Sequence, residues 1–155
     1  MPPADPEKRA CLGVAAGVLA LGALPTVARS VDTGSTIEQP ELQRDADFVA
    51  RAFVMRDIAA SDGDQAYGAV VVKNGRIVGQ APSRVVLRGD PTAHAEMEAI
   101  RDAAQRLGSR DLSGCTLYSS SPACPMCEAA AYWAGITRQV SGRAATDGGR
   151  PVLCR

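Results

Sequence analysis

The stretch Asp90-Pro91-Thr92-Ala93-His94-Ala95-Glu96, with Cys124-Pro125-Met126-Cys127 starting thirty residues after the histidine, decides how this chain is read. His94 is the only histidine among 155 residues. One imidazole and two thiolates fill three of zinc's four tetrahedral positions and leave the fourth for water, as catalytic rather than structural zinc sites do. Glu96 is then a carboxylate placed to move protons to and from that water. Neither fragment suffices alone. A Cys-x-x-Cys pair in an exported protein also reads as a disulfide or a redox couple, and a lone histidine is more often a surface or core residue. The combination, in this order, points to Zn2+ held by His94, Cys124 and Cys127.

Both fragments read as helix starts. Asp90-Pro91 has the form of an N-cap followed by proline at the first helical position. The helix it predicts runs to about Leu107, with Met97, Ile100, Ala104 and Leu107 as a buried stripe and Gly108 as its stop. Cys124 opens another helix, with Pro125 in its first turn, which continues to Ala134 and closes at Gly135. Free N–H groups and the positive end of the dipole meet at such termini. That field and a bound metal are expected to hold Cys124 and Cys127 as thiolates. Residues two apart on a helix point roughly 200° apart. His94 and Glu96 therefore meet at one centre only if that centre lies over the helix end.

Around these motifs, Glu41 to about Ser61 reads as an amphipathic helix, with Phe48, Val49, Ala52, Phe53 and Ala59 at helical spacing. Ser61-Asp62-Gly63-Asp64 ends it. Gly68 to Lys73 and Arg76 to Gln80 are β-rich runs joined by Asn74-Gly75, a strong hairpin signal. Ala81 to Gly89 is expected as a loop, Cys115 to Ser119 as a third strand and Ile136 to Val140 as a fourth. The alternation implies an α/β fold with a mixed sheet and helices on its faces.

The run from Asp90 to Arg101 resembles the first motif of the zinc-dependent cytidine and deoxycytidylate deaminase superfamily, whose signature pairs His-x-Glu with a later Cys-x-x-Cys. Leu117-Tyr118-Ser119-Ser120 through Cys127, with Ala131-Tyr132-Trp133-Ala134, resembles its second motif. Tyr67-Gly68-Ala69-Val70-Val71-Val72 resembles its first strand. The guanine deaminase and nucleoside deaminase branch is the best match, over roughly Leu42 to Val140. The resemblance implies a three-layer α/β/α sandwich of the cytidine deaminase type and a homodimer. It assigns catalysis to Glu96 and the metal to His94, Cys124 and Cys127, and it puts Ala95, Tyr67 and Ser83 at positions near the substrate. Tyr67 also reads as a half-buried strand aromatic, and Tyr132 and Trp133 as core or dimer contacts.

Two positions depart from the pattern. The family usually has an asparagine eleven residues before the zinc histidine, and here that position is Ser83, which lacks an amide's paired donor and acceptor. The family's Glu-Pro before the first zinc cysteine is Pro122-Ala123 here. A short carboxyl end, Asp147-Gly148-Gly149 and a few more residues, leaves the pocket open by expectation.

Lys8-Arg9 followed by an uncharged Ala-, Gly-, Leu- and Val-rich stretch from Ala10 to Ala28 reads as an export signal cut before Arg29; a membrane anchor is the alternative. Residues 1–28 are thus a signal segment, 29–40 a flexible lead-in and 41–155 a single domain with a short tail, in the periplasm or secreted. The whole chain has 17 basic and 17 acidic residues. Losing Lys8, Arg9, Asp5 and Glu7 leaves it neutral, and no Lys/Arg cluster is visible. That argues against a tRNA or DNA substrate; the family resemblance implies a small nucleobase or nucleoside instead. Cys115 is read as a core residue and Cys154 as a tail thiol.

Three function classes stay open from sequence. The first is a hydrolase acting on C–N bonds in cyclic amidines, converting a guanine-like purine or other aminated base to its oxo product and ammonia. The second is a zinc-stabilised relative without turnover. The third is a thiol-redox protein built on Cys124 and Cys127.

Overall fold

The computed structural model describes residues 36–153. The export signal, most of the lead-in and Cys154 lie outside the described residues. Within them, the elements are α1 (Asp45–Ser61), β1 (Gly68–Lys73), β2 (Arg76–Pro82), α2 (Val85–Arg88), α3 (Ala95–Leu107), β3 (Cys115–Ser119), α4 (Pro125–Trp133), β4 (Arg138–Ser141) and β5 (Thr146–Gly149). The sheet order is β2-β1-β3-β4-β5. Only β3 and β4 run parallel, with Thr116 opposite Arg138; the other pairs are antiparallel. The mixed α/β/α sandwich expected from sequence is the fold observed. No described helix is long and apolar enough to cross a membrane.

Alternation along β1 divides the core, because successive side chains on a strand face opposite sides. Val70 and Val72 join Phe48, Val49, Met55, Ile77, Tyr118 and Val140 beneath α1. Ala69 and Val71 face the other way, into a layer with Ala81, Ala95, Ala99, Ala103, Leu117, Ala131 and Ile136 under α3 and α4. A glycine lets a helix press onto the sheet on each side. A Cβ on Gly68 would sit 2.1 Å from Ala52 O of α1, and one on Gly79 would sit 2.5 Å from Ala103 N of α3.

The start of α1 is tied across three strands. Asp45 accepts two hydrogen bonds from the Arg138 guanidinium of β4 (3.0 and 2.7 Å) and one from the Tyr118 hydroxyl of β3 (2.7 Å). Arg138 Nε also donates to Asp147 of β5 at 2.8 Å. At the far edge, the Gln39 amide stands in for a strand: Ile77 N–H donates to its Oε1 (2.8 Å), and its Nε2 donates to Ile77 O (2.9 Å). The next outward N–H on β2, that of Gln80, donates to Asp102 of α3 at 2.9 Å.

Several boundaries and faces differ from the sequence reading, each for a local reason. The first helix starts at Asp45 rather than Glu41, where Asp47 reaches back to the Arg44 N–H (3.2 Å) and closes its entry. Phe53, expected in its buried stripe, is instead half-buried, with Arg56 and Arg143 guanidiniums 5.0 and 4.3 Å from its ring. Asp90 is not an N-cap. Its Oδ1 takes Thr92 N–H and Thr92 Oγ (2.8 and 2.7 Å), forming a turn, and α3 begins only at Ala95 with His94 as its cap residue. The stripe of α3 that meets the sheet is Ala95, Ala99 and Ala103. Met97, Ile100 and Ala104 are half-buried and Leu107 is exposed, because contact with Gly79 admits only methyl-sized side chains.

The expected loop from Ala81 to Gly89 contains the last two residues of β2 and the short α2. The fourth strand starts two residues later than read, at Arg138. Strand β5 has no sequence signal, being fully exposed and made of Thr-Asp-Gly-Gly. Tyr132 and Trp133 are not core: they are 41% and 74% exposed and meet edge-on at 5.6 Å.

Candidate metal centre and active site

The centre is assembled by two helix beginnings. His94 and Cys124 are the cap residues of α3 and α4, both with extended backbone (ψ 151° and 166°), so each side chain hangs over the end of its helix. Each carbonyl takes the first helical bond, from Glu98 N–H to His94 O and from Glu128 N–H to Cys124 O, both 2.9 Å. Pro125 follows in the first position of α4, where its missing N–H costs no bond. Cys127, one turn on, is fully buried and turns its sulfur back to Cys124.

The three donors form a nearly equilateral triangle. Cys124 Sγ to Cys127 Sγ, Cys124 Sγ to His94 Nδ1 and Cys127 Sγ to His94 Nδ1 are each 3.6 Å. Zn–S and Zn–N bonds of about 2.3 and 2.0–2.1 Å at tetrahedral angles give separations of about 3.8 Å for S···S and about 3.6 Å for S···N. The donor set therefore fits zinc in distance as well as type. No other group of this kind occurs among the described residues.

Burial pushes the Cys127 thiol well above its ordinary value, and the neighbouring Glu96 carboxylate and Cys124 sulfur push it further. A cation held there would favour the charged form of the Cys127 sulfur, so that metal binding and loss of its proton are linked.

Glu96 is 5% exposed, with Oε2 at 3.7 Å from Cys127 Sγ. Burial raises its carboxyl above the usual range, while its own backbone N–H and the His94 ring pull the other way. His94 and Glu96 lie in the cap and first turn of α3, which is the only arrangement that brings residues two apart to one centre. Ala95, between them, is fully buried, and its N–H is among those at the helix start that lack a helical acceptor.

The remaining expected residues are placed differently. Tyr67 stands immediately before β1 and is 47% exposed. Ser83 is fully buried, and its hydroxyl donates to Asp64 Oδ1 at 2.8 Å. A serine hydroxyl has one proton to give; here that proton goes to Asp64 inside the protein. Its neighbour, Asp64, was missed from sequence because it sits in a polar helix-ending turn. The short tail returns to α4: Pro151 is buried and Val152 N–H donates to Glu128 Oε1 at 3.3 Å.

Residues 42–143 match the family model described as the cytidine and deoxycytidylate deaminase zinc-binding region. Guanine deaminase of Bacillus subtilis (strain 168) is 50% identical over 68 residues, 44% of each chain. A tRNA-specific adenosine deaminase of Aquifex aeolicus (strain VF5) is 40% identical over 82 residues, 53% of this chain and 54% of that one. The matched stretch thus spans about half the length of these relatives. The X-ray structure of guanine deaminase from Bacillus subtilis superposes with a TM-score of 0.57 at 38% identity, covering 67% of this chain and 69% of that chain. A structure from a study of A-to-I editing by tRNA:A34 deaminases gives 0.59 at 36% identity, covering 61% and 72%. With the His94, Cys124 and Cys127 triangle closed over two helix ends, the chain belongs to the cytidine and deoxycytidylate deaminase family, within its zinc-binding fold.

Proposed function

We propose that this protein is a zinc-dependent hydrolytic deaminase of an aminated nucleobase or nucleoside, with a guanine-like purine as its preferred class. The observation that carries this reading is the 3.6 Å donor triangle with the buried Glu96 carboxylate beside it. His94, Cys124 and Cys127 would hold the zinc, which supplies a water acidic enough to act as a nucleophile near neutral pH. Glu96 does the proton work. It takes a proton from water, gives it to a ring nitrogen and then serves the departing amine, so that amine and water become oxo product and ammonia. Its burial moves the carboxyl towards the range where a proton shuttle works best. The Ala95 N–H offers a donor at the helix start, and the exposed Tyr67 ring offers a flat apolar face to a heterocycle.

A second reading has a specific motive. Two relatives quoted above are adenosine deaminases of tRNA, so an RNA stem-loop joins the free bases as a candidate substrate, against the neutral charge of the chain. A homodimer fits the exposed Tyr132–Trp133 pair, which a second copy would cover. Export rests on the Lys8-Arg9 and Ala10–Ala28 pattern alone.

Ammonia release by the zinc-loaded protein against aminopurines, aminopyrimidines, their nucleosides and an adenosine-bearing tRNA stem-loop tests the proposal. Glu96→Ala is expected to keep its zinc and lose about 100- to 10,000-fold in turnover. Near-normal activity in that variant would sink the mechanism. Silence of the wild type on every substrate, with zinc bound, would favour the relative without turnover.

A further inference from the structure

Asp64 is a buried carboxylate that the proposed reaction leaves unused. It follows α1 by three residues, is 8% exposed, and its N–H donates to Ala59 O at 2.9 Å. Oδ1 accepts from the Gln65 N–H (2.7 Å) and the Ser83 hydroxyl (2.8 Å). Oδ2 accepts from the Val86 N–H (3.0 Å) and the Leu87 N–H (2.9 Å). Four donors fill the acceptor capacity of an ionised carboxylate. Burial works to raise this carboxyl, but the four bonds outweigh it and hold it below its ordinary value. An amide could not replace it, since its NH2 would face N–H or O–H donors.

Backbone bonds continue from this segment in two directions, one to Tyr67 and one to the peptide before His94. Ser83 N–H donates to Tyr67 O at 3.0 Å, so the aromatic next to β1 is fixed from the same residue that Asp64 holds. Arg84 N–H donates to Ala93 O at 3.0 Å, and Asp90 N–H to Val85 O at 3.1 Å, closing the segment from α2 back onto the peptide before His94. Ala93 is fully buried. The side chains that this backbone presents outward are apolar and large: Val86 at 58%, Leu87 at 55% and Tyr67 at 47% exposed. Ion pairs from Arg84 to Asp62 (2.7 Å) and from Arg88 to Glu98 (2.6 Å) anchor the two ends of this one-turn helix, and the Asp64 carboxylate takes the N–H groups of its first turn from beneath.

We propose that Asp64, acting through Ser83, Val86 and Leu87, is a positioning residue that fixes the Tyr67, Val86 and Leu87 rim on which the flat ring of the amine docks. The inference rests on the deaminase reading of the His94 centre. It assigns Ser83 to the strut rather than to the substrate, and makes the rim, through ring stacking and apolar contact, the part that selects an aromatic heterocycle.

The test uses the full zinc-loaded chain and the best amine from the panel above. Asp64→Asn is isosteric but loses two acceptor sites. It is expected to raise KM about tenfold with kcat within about twofold, the signature of lost binding rather than lost chemistry. Zinc content stays at the wild-type level, and trypsin cuts after Arg84 and Arg88 faster than in wild type. Ser83→Ala, which deletes one of the four donors, moves the same quantities in the same direction by less and decides the matter if Asp64→Asn does not fold. Wild-type KM and trypsin resistance in both variants, with wild-type turnover intact, would overturn this inference alone. Equal loss of kcat and zinc would also overturn it, by making Asp64 a general scaffold. Absence of turnover in the wild type would sink the deaminase reading, and the docking role with it.

Discussion

The layer beneath α1 is filled by Phe48, Met55, Tyr118, Val70, Val72, Ile77 and Val140, whereas the layer beneath α3 and α4 is dominated by Ala69, Ala81, Ala95, Ala99, Ala103 and Ala131. The bulky face buries more apolar area per residue and so contributes more to stability. The alanine face buries less but lets two helices lie close to the sheet and to each other. Their first turns then converge until three donors stand 3.6 Å apart. One face holds the molecule together; the other gives up hydrophobic bulk for the placement of two helix ends.

If that division is right, changes on the two faces separate stability from metal binding. Phe48→Ala empties space under α1 and is expected to cost about 3–5 kcal/mol, seen by denaturant unfolding, while zinc stoichiometry stays at one. Withdrawing zinc with a chelator acts on the other face. At free zinc one hundred times the Kd, the metal contributes about 2.7 kcal/mol, so the metal-free Tm falls, and Cys127→Ser removes the zinc-dependent increment. Gly68→Ala and Gly79→Ala each force a helix off the sheet at about 1–3 kcal/mol. Only the second should weaken zinc affinity, measured by competition with a chromophoric chelator, because only α3 carries His94. Equal zinc loss in both would break the division.

The smallest effect concerns pH. The Arg138 bonds hold the Asp45 carboxyl below its ordinary value, with the Tyr118 hydroxyl adding to them against burial. A depressed folded value means that the stabilisation is fully present above the unfolded value of about 3.9 and is lost as pH falls through the folded one. The Tm gap between wild type and Asp45→Asn is therefore expected to be constant near neutrality and to close below about pH 4.

That His94, Cys124, Cys127 and Glu96 come together was legible in the sequence because their spacing is chemical: His-x-Glu and Cys-x-x-Cys each place side chains at a helix end. The hairpin was legible because Asn74-Gly75 is dictated by backbone conformation, and Asn74 does adopt a positive φ of 50°. What failed was periodicity where packing obeys shape rather than hydrophobicity. The largest apolar residues of α3 suggested a stripe through Ile100 and Leu107, but contact with Gly79 selects the alanines. Asp90 satisfied every local criterion for a cap, yet its carboxylate closes its own turn with Thr92. Asp64 and Ser83 lie nineteen residues apart, and no local pattern announces a hydrogen bond over that distance. Strand β5 exists through pairing with β4, with no side-chain pattern of its own.

The Gln39 amide on β2 has a practical reach. An unsealed sheet edge recruits other strands, and natural sheets block theirs. Here the seal at Ile77 is a single side chain from the segment before the domain, backed by Asp102 at Gln80. A recombinant form trimmed to begin at Glu41, where the domain's own sequence starts, would keep the helices, the sheet and the metal ligands yet lose that stopper. Its β2 would then offer Ile77 as a free template, and such a protein would be prone to self-association through the edge farthest from β5. The few residues of lead-in that look dispensable are the ones that close this edge of the sheet.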